Sequence, residues 1–142
     1  MAAYIGSFLI LLAFLNVLLL IASKPILSKV YSDYDSVILS SSKLQFPLTF
    51  LAFICLIFSF LTDDFSLKYV SSNSNSLLPY YYKISATWAG HEGSMLLWCL
   101  VLSFWTFLAS IYSKNLDIDF RLNFLTIMGL LNLGFLAFLI FT

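Results

Sequence analysis

Few residues of this 142-residue chain can do chemistry in an apolar setting, and most of those fall in one segment. The single histidine, His91, stands beside Glu92, and all three tryptophans (Trp88, Trp98 and Trp105) lie around the pair. Written as a helix, Ile84, Trp88, His91, Met95, Trp98, Leu102 and Trp105 recur at alternating steps of four and three. That spacing aligns them along one stripe. Two readings of this face stand. Either it receives a large flat ligand or supports the wall of its pocket, or it packs on neighbouring helices while the imidazole finds a hydrogen-bond partner. Glu92 points about 100° away from His91, so the two need not act on one atom. Ala86, Gly90 and Ser94, at i, i+4 and i+8, form a second stripe, small enough for a neighbouring helix to approach closely.

Other site chemistries are set aside by pattern. One histidine leaves no HExxH and no cluster with metal-ligand spacing. There is no P-loop, no GxGxxG and no GxSxG, so no catalytic and no metal-binding residues are assigned. Cys55 and Cys99 form no CxxC, and CxxCH is missing, so the chain is not itself a c-type cytochrome. Both cysteines fall roughly 7–10 Å inside one membrane boundary by the helical rise, and they read as buried, reduced thiols. Asn16 and Asn132 lie mid-span and suit hydrogen bonds between helices. Asp63 and Asp64 end the second apolar stretch and read as a solvated carboxylate pair.

The elements that must position these residues follow from composition. Hydrophobic residues make up 61% of the chain and charged ones 10%, with a mean hydropathy of +0.98. Too little polar surface remains to cover a water-facing globule. Seven basic against seven acidic residues lack the basic footprint of a nucleic-acid binder, and the apolar content excludes intrinsic disorder. Four stretches carry no Asp, Glu, Lys, Arg or His: Met1–Ser23, Leu44–Thr62, Gly93–Ser113 and Leu122–Thr142. Each has the roughly 20 residues that a helix needs to cross the hydrocarbon core. Their continuous apolar character disfavours a barrel.

The expected architecture is therefore all-α. It is an integral membrane bundle of four transmembrane helices, over about 2–23, 44–62, 78–113 (membrane part 93–113) and 122–142, in one membrane domain. Pro79, after the Ser71–Ser76 turn signal, suits a first helical turn, so the third helix is expected to run unbroken from near Leu78. The first stretch has its lysines after the apolar run, opposite to a cleaved signal peptide. Lys24, Lys29, Lys43, Lys114 and Arg121 follow helices one and three, against Lys68 and Lys83 after helix two. That bias puts the N-terminus and the long connector between helices two and three outside.

Two blocks carry a family resemblance. Trp88–Trp98, WAGHEGSMLLW, resembles the WGxHEGSxxLW segment of the cytochrome c maturation haem lyases, the CcmF family. Asp64–Tyr82, DFSLKYVSSNSNSLLPYYY, is similar to that family's outer loop, NDFSVxYVAxNSNxxLPxxY. The likeness extends over essentially the whole chain, with Ala89 standing where the family often has glycine.

The resemblance implies cytochrome c-type biogenesis: covalent attachment of haem to the CxxCH thiols of apocytochrome c at the outer face of the inner membrane. It implies haem as cofactor of the full-length protein. The implied partners are the remainder of the lyase, a haem chaperone, apocytochrome c with its presenting subunits, and membrane lipid. The implied setting is the bacterial inner membrane, or alternatively the mitochondrial one. Trp88, Gly90, His91, Glu92, Gly93, Ser94 and Trp98 carry over as a signature motif with no role assigned to them.

The family's tryptophan-rich WWD motif with its flanking histidines does not occur in these residues, so the chain alone is not expected to be catalytic. The fourth stretch reaches Thr142 without a charged flank, and the chain is expected to be the N-terminal part of a longer protein or one product of a split gene. Two alternatives stay open. One is a transporter or channel subunit with Asn16, His91 and Glu92 along an ion path, and the other is a structural assembly subunit without ligand contact.

Overall fold

A computed structural model describes residues 1–142. The chain is all-α, built from α1 (Ala2–Ser23), α2 (Tyr34–Leu61), α3 (Lys68–Asn73), α4 (Tyr80–Ala86), α5 (His91–Tyr112) and α6 (Ile118–Phe141). Four of these, α1, α2, α5 and α6, are long and apolar enough to cross a membrane. Inside a bilayer only such helices, or a closed barrel, satisfy every backbone group internally.

The four spans close into a ring, α1 on α2, α2 on α5, α5 on α6 and α6 back on α1. Lys24 at the end of α1 donates to Asn123 of α6, and Arg121 donates to Ser113 and to the Ser110 carbonyl at the end of α5. These contacts draw the ends of α1 and α5 together with the start of α6 at one end. There Arg121 also satisfies one of the terminal carbonyls that α5 leaves open, that of Ser110. The opposite end holds both chain termini together with α3 and α4.

Three helix bounds differ from the sequence expectation. Helix α2 starts at Tyr34 rather than near residue 44, and at 28 residues it is about 42 Å long against a core of about 30 Å. Its first turns, which carry Asp35 and Lys43, precede the uncharged stretch that begins at Leu44. Helix α6 starts at Ile118 rather than 122, where the Asp117 side chain caps the Phe120 N–H. A count of uncharged residues sees only the lipid-embedded part of a helix, whereas caps set its true ends.

The third difference is larger. The element expected to run unbroken over 78–113 is two helices, α4 and α5, separated by a turn at Thr87–Gly90. Gly90 is extended there (φ −95°, ψ 176°) and caps α5.

Lipid tails are as apolar as leucine, so span packing rests on close approach and on polar contacts. Gly129 lies under the Leu20 side chain and Gly6 against Cys55. The amide of Asn16 donates to the Ser41 carbonyl (2.9 Å) and to Gln45 Oε1 (2.8 Å), clamping α1 to α2. Thr49 and Ser103 hydroxyls meet at 2.7 Å and join α2 to α5. Asn132 is also buried on α6, at 1% exposure.

Candidate functional site

The end of the bundle that holds α3, α4 and the start of α5 is organised around one tyrosine. Helix α3 is short, and it is held because Val70 packs with Phe60 of α2 and Ala86 of α4 in a buried cluster. Tyr69, just before Val70, stands edge-on to Phe60 at 5.5 Å between ring centroids. Its hydroxyl donates to the Thr87 carbonyl (2.9 Å) and accepts from the Gly90 N–H (3.1 Å). One phenol thus satisfies both edges of the turn between α4 and α5.

The residues of the turn explain the small side chains of the HEGS segment. A Cβ on Gly93 would lie 1.7 Å from the Thr87 carbonyl oxygen and 2.4 Å from the Tyr69 hydroxyl. A Cβ on Gly90 would lie 2.6 Å from the Tyr69 ring. The Ser94 hydroxyl lies 2.7 Å from both the Trp88 and Gly90 carbonyl oxygens and shares its one proton between them, so the Trp88 carbonyl freed by the break finds a donor one turn later. The stripe Ala86, Gly90, Ser94 does admit a close neighbour. That neighbour is Tyr69 at Gly90, not a membrane helix.

The break also divides the aromatic stripe. His91, Met95, Trp98, Leu102 and Trp105 remain on α5, while Ile84 and Trp88 belong to α4 and the turn. His91, Trp98 and Trp105 are exposed on the outside of this bundle. The His91 ring meets Phe138 edge-on at 5.0 Å, and Trp98 stacks on Phe135 at 6.4 Å. Glu92 occupies the first turn of α5, where the helix dipole favours an anion. His91 is exposed on the outside of the bundle, whereas Asn16 is buried and committed to the clamp between α1 and α2, so the two do not line a common path.

Asp63, expected to be solvated, is an ion-pair partner. Both its carboxylate oxygens lie 2.7 Å from Lys83 Nζ, and the Lys83 side chain is 9% exposed. Asp63 takes up a left-handed conformation (φ 53°). The Asp64 N–H reaches back to Ser59 O and the Asp63 N–H to Phe60 O, closing the left-handed terminus that usually calls for glycine. Asp64 accepts from Ser66. Cys55 and Cys99 are both free thiols.

The residues present do not make a haem site. His91 is the sole imidazole, and it packs on Phe138 on the outside of the bundle. No group of three His, Cys, Asp or Glu side chains converges.

Burial holds the Tyr69 phenol above its usual 10.0, the Glu92 charge adds to this, and the backbone at Gly90 and Gly93 opposes it. The folded state keeps the proton longer than the unfolded chain does. Stability from this group is therefore intact below pH about 10 and declines as pH rises through the folded value. Tyr69→Phe is expected to lose about 1–3 kcal/mol at neutral pH, because the Thr87 carbonyl and Gly90 N–H are left unpaired. It is also expected to remove this contribution to alkaline loss. Unfolding midpoints from pH 7 to 11 check both; an unchanged midpoint at pH 7 counts against the bridging role.

No family model matches the chain. Individual relatives do. The cytochrome c-type biogenesis protein CcmF of Escherichia coli K12 is 41% identical over 142 residues, covering 97% of this chain and 22% of its own length. CcmF of Pseudomonas aeruginosa is 53% identical over 98 residues, 69% of this chain and 15% of that protein. A solved structure titled cytochrome c heme lyase CcmF superimposes with a TM-score of 0.87 at 27% identity, over 96% of this chain and 23% of that one. The chain thus spans less than a quarter of the length of each of these relatives. With four spans and this similarity along nearly all of its residues, the chain belongs to the CcmF family of cytochrome c-type biogenesis proteins and corresponds to their N-terminal region.

Proposed function

We propose that this chain is the N-terminal membrane frame of a cytochrome c haem lyase, a multi-pass protein of the bacterial inner membrane. In this reading the complete protein attaches haem to the CxxCH thiols of apocytochrome c at the outer face. It works with a haem chaperone and with the subunits that present the apocytochrome. The chain's own share is architectural: it sets the outer end of the bundle, with N-terminus and Tyr69 junction outside, against which the rest of the protein assembles. Haem ligation is then left to the remainder.

The observation that carries this reading is how the two blocks of the family resemblance meet in the fold. Asp64–Tyr82 and Trp88–Trp98 are joined physically through Tyr69, within a backbone that matches that protein over 96% of this chain. Apolar packing alone would not require both blocks to meet at one hydroxyl.

A chimera tests it. The N-terminal four-span region of E. coli CcmF is replaced by this chain in a strain lacking that gene, and holocytochrome c is followed by haem staining. Restored holocytochrome c is the expected result. A chimera that inserts and accumulates normally yet yields none would overturn the assignment.

A further inference from the structure

A half-open cavity of about 530 Å³ lies between the spans at the end that carries Tyr69, within the range of small-molecule sites. It extends along α1 from Ala2 to Leu11, about 14 Å by the helical rise. Twelve of its sixteen lining residues are hydrophobic. The polar ones are mostly committed elsewhere: Ser7 donates to Ala3 O and Ser59 to Cys55 O, while the Tyr69 hydroxyl serves the turn. Glu92 is the one charged residue of the lining, and it is in no ion pair, since Asp63 takes Lys83. The shape is a long apolar slot with a single unpaired carboxylate at its rim.

We propose that this slot binds one acyl chain of an outer-leaflet phospholipid with a primary-amine headgroup, its ammonium against Glu92. Lipid is the apolar molecule that reaches a cavity between membrane spans from the side. A slot about 14 Å long accepts part of an extended hydrocarbon chain. An ammonium complements the lone carboxylate, whereas an anionic head without an amine meets that charge with no lysine or arginine on the wall to offset it.

Full-length protein is reconstituted into nanodiscs of phosphatidylethanolamine with phosphatidylglycerol. Lipid retained after detergent extraction is counted by native mass spectrometry, and alkylation of Cys55, which lines the slot, by N-ethylmaleimide is read at its own peptide. Expected are one retained lipid, phosphatidylethanolamine preferred by about fivefold as for one partly screened charge contact, and loss of that preference in Glu92→Gln. Ala3→Leu and, independently, Ser7→Leu fill the slot and should abolish retention in protein that still inserts. Cys55 should be protected by bound phosphatidylethanolamine and open in lipid-free protein. Equal retention of both lipids, an unchanged preference in Glu92→Gln, or Cys55 protected without lipid because other parts of the protein occupy the slot would each overturn the proposal.

Discussion

Gly93→Ala is expected to destabilise the protein by about 3 kcal/mol or more, at the upper end of what overpacking costs. The added methyl would sit 1.7 Å from the Thr87 carbonyl oxygen and 2.9 Å from its carbon. Backbone cannot swing aside as a flexible side chain does. Thr87 is fully buried, and its carbonyl is the one that Tyr69 binds. Making room for the methyl therefore separates α4 from α5 and breaks the bridge to α3 at the same time. Gly134→Ala provides the control, because nothing lies within 4 Å of a Cβ there. It should stay within about 0.5 kcal/mol of the parent or gain slightly in helix propensity. Unfolding in detergent, with holocytochrome c as the cellular readout, checks both. Equal behaviour of the two alanine variants would show that the turn is not as tight as described.

Asp63→Asn should cost about 2 kcal/mol, less than the 3–5 kcal/mol for breaking a fully buried pair because the carboxylate is partly solvated. The exposures are 9% for the Lys83 side chain and 27% for Asp63. Asparagine tolerates the left-handed conformation, so the backbone stays satisfied and the loss reports the stranded ammonium. Lys83→Met removes that ammonium and strands only the better hydrated partner. Combining it with Asp63→Asn should return most of the loss, and this non-additivity is the signature of a direct pair. Additive losses in the double variant would mean that the two residues act separately.

Both effects converge on one small region, and how it reads in the sequence is instructive. The HEGS segment is recognisable by its family resemblance. Of the small-residue stripe Ala86, Gly90 and Ser94, Gly90 does meet a close neighbour, though a side chain and not a membrane helix. The approaching group is Tyr69, 24 residues before Gly93, on a six-residue helix too short to announce itself by periodicity. Tyr69 falls inside the second block, DFSLKYV, so the block marked the right residue without revealing its partner. The unbroken helix expected over 78–113 fails for the same reason. No proline interrupts residues 84–93, and local propensity permits continuation. The hydroxyl that holds the turn open comes from elsewhere in the chain.

Membrane class, the existence of four spans and the family were determined by the sequence alone. Each depends on quantities summed or matched along contiguous residues: the transfer of about 20 side chains into hydrocarbon, or a run of identities. The Asp63–Lys83 pair, the Tyr69 bridge, the outward placement of the aromatic face on α5 and the slot beneath Glu92 were decided only by the tertiary structure. They arise where groups distant in the chain meet at one end of the bundle, and the pattern along any one helix is the same whether that meeting occurs or not.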